Sequence, residues 1–183
     1  MPLSKIQTNS LATGAVGTSQ LASGAVGTSQ LASGAITSAV MPTGSVVQVV
    51  QSTNTTTYSI AAADTFEDTG YSVTITPSSS SNKILITFSA FGILLNSSHT
   101  GCQLLRGSTV VMLNEGYSTN SSHWSQANWG FSYLDSPSTT SSVTYKTQGR
   151  PHSSSSSGLV YYQFTGASYT TQVSTIILME VVA

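Results

Sequence analysis

Side chains able to do acid–base, metal or nucleophilic chemistry are few. There are six carboxylates, Asp64, Glu67, Asp68, Glu115, Asp135 and Glu180, three histidines, His99, His123 and His152, and one cysteine, Cys102. Cutting a glycosidic bond takes two carboxyl groups about 5–9.5 Å apart on either side of the sugar. Glu67 and Asp68 are adjacent, but neighbours in an extended chain point to opposite faces. The pair therefore reads as surface charge beside a turn. His99 and Cys102 have a ligand-like H-x-x-C spacing, yet no second pair completes a tetrahedral zinc site. A threefold axis could gather three copies of one histidine into a ring, but all three histidines sit in polar stretches, where solvated loop residues are the simpler reading. No glycine-rich phosphate loop stands between a strand and a helix. No catalytic residue, metal or cofactor is expected, and the chain does not read as an enzyme.

Recognition is the chemistry that remains. Tyr117, His123 and Trp124 lie among Ser, Thr, Asn and Gln in the polar stretch 115–128. Aromatic rings beside adaptable hydroxyl and amide groups suit a glycan or a protein surface. These three residues form the candidate partner-binding loop. Trp129, which opens an apolar stretch, reads as core. The competing polar stretch, RPHSSSSS at 150–157, has a single ring and reads as a flexible connection.

The stretch that organises the chain is residues 6–41. An apolar side chain returns at every fifth position: Ile6, Leu11, Val16, Leu21, Val26, Leu31, Ile36 and Met41. The underlying unit is the decapeptide TSQLASGAVG at 18–27, repeated from 28 with Ile36 for Val and preceded by a copy at 8–17. Fixed periods of this kind decide an architecture before anything else does. A helix needs apolar residues three and four apart, a coiled coil needs sevens, and collagen needs glycine at every third position. Fives fit none of these. The segment either turns once per pentad or extends with both faces covered by neighbours. Its modest side chains cannot by themselves offset the entropy of ordering so long a segment. The economical answer is an intertwined homotrimeric β-type stalk with the eight apolar residues as its core. A flexible Gly/Ser/Thr linker has the same composition but no reason to keep a register.

Only 6% of the residues are charged and the formal net charge is −1, against about 25% charged in an ordinary soluble domain. Nucleic acid and anionic membranes both call for a basic surface, so neither is an expected partner. No apolar run is long enough to span a bilayer, and residues 1–5 carry no signal-peptide pattern. The lone Cys102 beside Leu104 and Leu105 reads as a buried strand residue.

Beyond 42 the pattern is that of strands. Expected strands are the β-branched run from Val46, residues 55–62, 71–76, the central strand 83–95, 103–106 and 109–113 joined by a Gly107-Ser108 hairpin, 129–134, 142–147, 159–164 and 172–182. Asp68-Thr69-Gly70 reads as a turn. Many short strands without helical periodicity predict an antiparallel β-sandwich or barrel. Ile84, Ile86, Phe88, Leu104, Phe131, Tyr145, Ile176 and Leu178 are its expected core. The domains expected are an attachment segment at 1–5, the stalk at 6–41 and the β head at 42–183.

The decapeptide resembles the L-A-x-G-A-V-T/G repeats of tail fibres and other appendages of tailed phages. PTGSVVQVV at 42–50 resembles the junction after such stalks in marine and cyanobacterial phage virion proteins. FSYLDSPSTT at 131–140, VTYK at 143–146 and STIILME at 174–180 resemble segments of their C-terminal heads. The resemblance implies a homotrimeric virion protein with a jelly-roll-like β-sandwich head, made in the host cytoplasm. Its N-terminus would join other virion proteins and its head would meet a host-surface glycan or protein. The alternative role is structural, a head or neck decoration protein. The very short segment before the repeat, with no evident anchoring domain, keeps that alternative open.

Overall fold

In a computed structural model of the chain the described residues are 12–17, 19, 21–27, 29, 31–56, 58–60, 64–95, 99–117, 125–151, 160–162 and 173–183. They fall within two compact units, Met1–Val40 and Met41–Ala183.

In the first unit one local structure recurs every ten residues. The Ala15, Ala25 and Ala35 amides donate to the carbonyls of Ala12, Ala22 and Ala32, each at 3.0 Å. Gly14, Gly24 and Gly34 have φ of 78°, 77° and 78°. An i to i+3 bond with positive φ only at the third residue defines a type II turn, and glycine takes that conformation without a steric penalty. Ser38–Val40 adds one 3-10 turn. Among the described residues before Val46 there is no strand. The described residues of the single chain thus show turns here and no strand pairing. Ala-x-Gly-Ala bends the backbone in one pentad of each decapeptide, and the turn at Ser19, the 3-10 residue Ser29 and the Ser38–Val40 turn fall in the other, in keeping with one turn per pentad rather than continuous extension.

The second unit contains ten strands among the described residues: β1 (Val46–Asn54), β2 (Tyr58–Ile60), β3 (Glu67–Ile75), β4 (Lys83–Leu95), β5 (His99–Arg106), β6 (Thr109–Tyr117), β7 (Ser125–Asp135), β8 (Val143–Pro151), β9 (Val160–Tyr162) and β10 (Ser174–Val181). All pairings are antiparallel. The first sheet runs β1-β10-β4-β7, because Phe88 of β4 pairs with Ile176 on one side and Phe131 on the other. β9, paired with β2, extends it beside Leu94 and Leu95. The second sheet runs β3-β8-β5-β6. Leaving out the short β2 and β9, the long strands read 1-8-3-6 and 2-7-4-5 in chain order, which is the strand order of a jelly-roll sandwich.

Strict alternation builds the core. β3, β8 and β10 expose and bury successive residues in turn, as the period of two demands. Ile84, Ile86, Phe88, Leu104, Tyr145, Ile176 and Leu178 are fully buried in one cluster, as expected. Phe131, on the β7 side of β4, is half-buried against it. Phe88 joins the sheets, edge-on to Tyr71 of β3 at 5.2 Å and tilted against Phe131 at 5.1 Å. The 83–95 strand is central and Gly107-Ser108 closes the β5–β6 hairpin, both as read from the sequence.

Two expectations are corrected. Asp68-Thr69-Gly70 is not a turn but lies inside β3, where the register with β8 shifts between Asp68 and Ser72. Gly70, at φ 78°, supplies a bulge, the other use of a left-handed glycine in a β context. Both ends of the polar stretch 115–128 are strand, since β6 continues to Tyr117, opposite His99, and β7 starts at Ser125; residues 118–124 lie outside the described residues. His99 accordingly opens β5 and is not a loop residue. Ladder pairing overrides local polarity here, because β-propensity depends on the partner strand.

Candidate interaction faces

Tyr117 ends β6, while His123 and Trp124 lie outside the described residues, so the candidate loop is not seen assembled. Of the stalk residues, Ile6 and Leu11 also lie outside them. Val16, Leu21, Val26, Leu31 and Ile36 are 42–56% exposed in the single chain, and Met41 is half-buried. The apolar register is therefore present and uncovered.

The outer faces of the two sheets differ in chemistry. On the second, a polar ladder crosses three strands. Gln103 Nε2 donates to Gln148 Oε1 at 2.7 Å, Gln148 Nε2 donates to Asp68 Oδ1 at 2.8 Å, and Lys146 Nζ donates to Asp68 Oδ2 at 3.0 Å. Partial burial alone would raise the Asp68 pKa; the bonds from Gln148 and Lys146 outweigh it and hold the carboxyl below its usual range. The Thr74 and Thr144 hydroxyls meet at 2.8 Å. The Arg150 guanidinium lies 4.6 Å from the Phe66 ring centroid and pairs with Glu115. Glu67, Asp68, Arg106, Glu115, Lys146 and Arg150 all lie on this sheet's strands.

On the outer face of the first sheet, the pairing Val49↔Met179↔Leu85↔Leu134 sets an apolar row straight across β1, β10, β4 and β7. Val49 is 58% and Leu134 49% exposed, with Met179 and Leu85 half-buried between them. Val46 and Val181 pair one step along, followed by Lys83, the only exposed charged residue on this sheet's strands.

The sheet's other two charges point inward, and sequence reasoning gave neither a role. Asp135, 6% exposed, accepts from Arg106 Nη1 at 3.0 and 2.8 Å and from the Tyr145 hydroxyl at 2.6 Å. Burial, the bond to Asp135 and its negative charge all raise the Tyr145 pKa. Glu180, 1% exposed, accepts at Oε1 from Ser78 N, Ser78 Oγ and Asn82 Nδ2, each at 2.7 Å. With its amide nitrogen turned inward, Gln48 also donates to Glu180 Oε2 at 3.3 Å. Burial raises the Glu180 pKa, but these donors outweigh it and the carboxyl sits below its usual range. The available signal was parity, because Glu180 shares the inward face with Ile176 and Leu178. Both carboxylates are saturated by local partners, which suits them to hold loops and strands together. Among the described residues no cluster of three or more His, Cys, Asp or Glu side chains could hold a metal. Among the described residues, too, no helix is long and apolar enough to cross a membrane. Cys102 is fully buried, and burial pushes its thiol up to about 12.

No family model and no curated protein matches the chain. Among solved structures it is similar to the VP2 subviral particle of infectious bursal disease virus, with 15% identity and a TM-score of 0.36 over 74% of this chain and 37% of that one. It is likewise similar to the structure of the Gx strain of that virus, with 14% identity and a TM-score of 0.33 over the same shares. The chain thus spans well under half the length of either.

Proposed function

We propose that the chain is a virion structural protein of a tailed phage, a homotrimeric fibre used for host attachment. One observation carries the reading: a jelly-roll head follows directly on a decapeptide repeat whose apolar side chains stay uncovered in the single chain. Periodic exposed apolar residues call for other copies, and the resemblance of the repeat to phage fibre stalks favours three of them around one closed axis. Jelly-roll sandwiches serve in viral capsids and lectins alike; since fold alone does not set function, the reading leans on the repeat. The N-terminal end contacts other virion proteins, and the stretch that holds Tyr117, His123 and Trp124 meets the host surface.

Val26→Asp tests the assembly. It places one carboxylate per copy against the others, and burying unpaired charge costs several kcal/mol. The variant loses the trimer by mass measurement, whereas a trimer like that of the wild type sinks the model. Replacing Tyr117, His123 and Trp124 with Ser lowers adsorption to host cells while leaving the trimer intact. Unchanged adsorption together with failure to assemble onto particles points instead to decoration.

A further inference from the structure

We infer that the outer face of the β1-β10-β4-β7 sheet is where the heads of identical copies pack, with the row Val49, Met179, Leu85 and Leu134 at the centre of the contact. The inference rests on the trimer reading but concerns a surface separate from the repeat. Monomeric proteins rarely expose a contiguous apolar patch without a use for it. Here four apolar residues are aligned by register across every long strand of the sheet. Val46, Val181 and Ile177 on the same face widen the row.

The distribution of charge selects the occupant. Six charged residues lie on the strands of the second sheet, whereas the first sheet turns Asp135 and Glu180 inward and leaves only Lys83 outside. Four of those six, Asp68, Lys146, Glu115 and Arg150, pair with one another on the outer face of the second sheet, while the outer face of the first is kept almost clear of charge. A basic or acidic partner finds no complement there. A second copy of the same neutral face meets no like-charge penalty, and Lys83, paired with Val181 beyond the row, falls at the rim. β1, which contributes Val46 and Val49, begins just after the last repeat position, Met41. Copies joined through the repeat therefore meet at high effective concentration, so even a modest row suffices.

The test uses the full chain and three variants: Val49→Lys/Leu134→Lys on this face, Val110→Lys/Leu113→Lys on exposed positions of β6 as the control, and Val26→Asp in the repeat. Native mass reports assembly, and the rate of Met179 oxidation by peroxide, read by peptide mass spectrometry, reports cover of the face. In the wild-type trimer Met179 is protected. Val49→Lys/Leu134→Lys abolishes that protection and weakens assembly about a hundredfold, as charges placed at the centre of an interface do, while the control changes neither. Should the two lysines prevent folding by circular dichroism, Leu134→Gln is read in the same way. A wild-type trimer whose Met179 oxidises as fast as in the variant overturns the head contact and leaves the repeat trimer standing. A monomeric wild type overturns both.

Discussion

Replacing Asp135 by Asn tests whether the buried polar cluster holds β5, β7 and β8 together. Asp135 receives two bonds from Arg106 and one from Tyr145, and neither Asp135 nor Tyr145 reaches much solvent. Asparagine keeps the shape but loses the charge and one acceptor oxygen. Breaking a fully buried pair costs about 3–5 kcal/mol. The Arg106 side chain is 30% exposed, so water recovers part of its loss, and about 2–3 kcal/mol is expected. For a chain of this size that lowers Tm by roughly 5–10 °C. Tyr145→Phe removes one donor but leaves the ion pair intact, and costs about 1 kcal/mol. The two losses are not additive, because both act on one carboxylate. Urea unfolding followed by circular dichroism at fixed protein concentration measures each, with an unchanged m-value as the check on a common unfolded state. The reasoning fails if Asp135→Asn stays within about 0.5 kcal/mol of wild type, the range of an ordinary surface change. It fails equally if Tyr145→Phe proves the costlier substitution.

Glu180 links stability to acid. Its folded-state pKa lies below the ordinary 4.5, so its contribution is complete above 4.5 and is lost as pH falls through the folded value. Glu180→Gln should lower stability at pH 7 by about 2–4 kcal/mol and flatten the acid limb of Tm against pH; an unchanged limb refutes the assignment. Gly70→Ala forces a side chain into a left-handed backbone and against the Tyr58 ring, for a loss of about 1–3 kcal/mol in urea. Gly107→Ala, which meets no atom within 4 Å, should cost less. Cys102, fully buried and with its thiol at about 12, should resist iodoacetamide at pH 8 in the native protein and react once urea unfolds it, because only the accessible thiolate is nucleophilic.

Period and parity were legible before any fold was known. Alternation places Ile84, Ile86 and Phe88 inward wherever β4 ends up, and the fivefold apolar register needs no tertiary contact to be seen. Local backbone chemistry was legible only in part: the same Gly70 can close a turn or make a bulge, and the pairing of β3 with β8 selects the bulge. The ends of the stretch 115–128 read as loop by polarity because their partner strands, β5 for residues 115–117 and β4 for 125–128, are out of sight in the sequence. Strand order, and with it the jelly roll, follows from contacts between residues as distant as Phe88 and Ile176, which a linear pattern does not encode. Asp135 and Glu180 looked like two more surface carboxylates, and only tertiary structure brought Arg106, Tyr145, Ser78 and Asn82 to them. An isolated charge belongs in water, and it becomes an interior residue only where the fold has already gathered donors enough to replace the water.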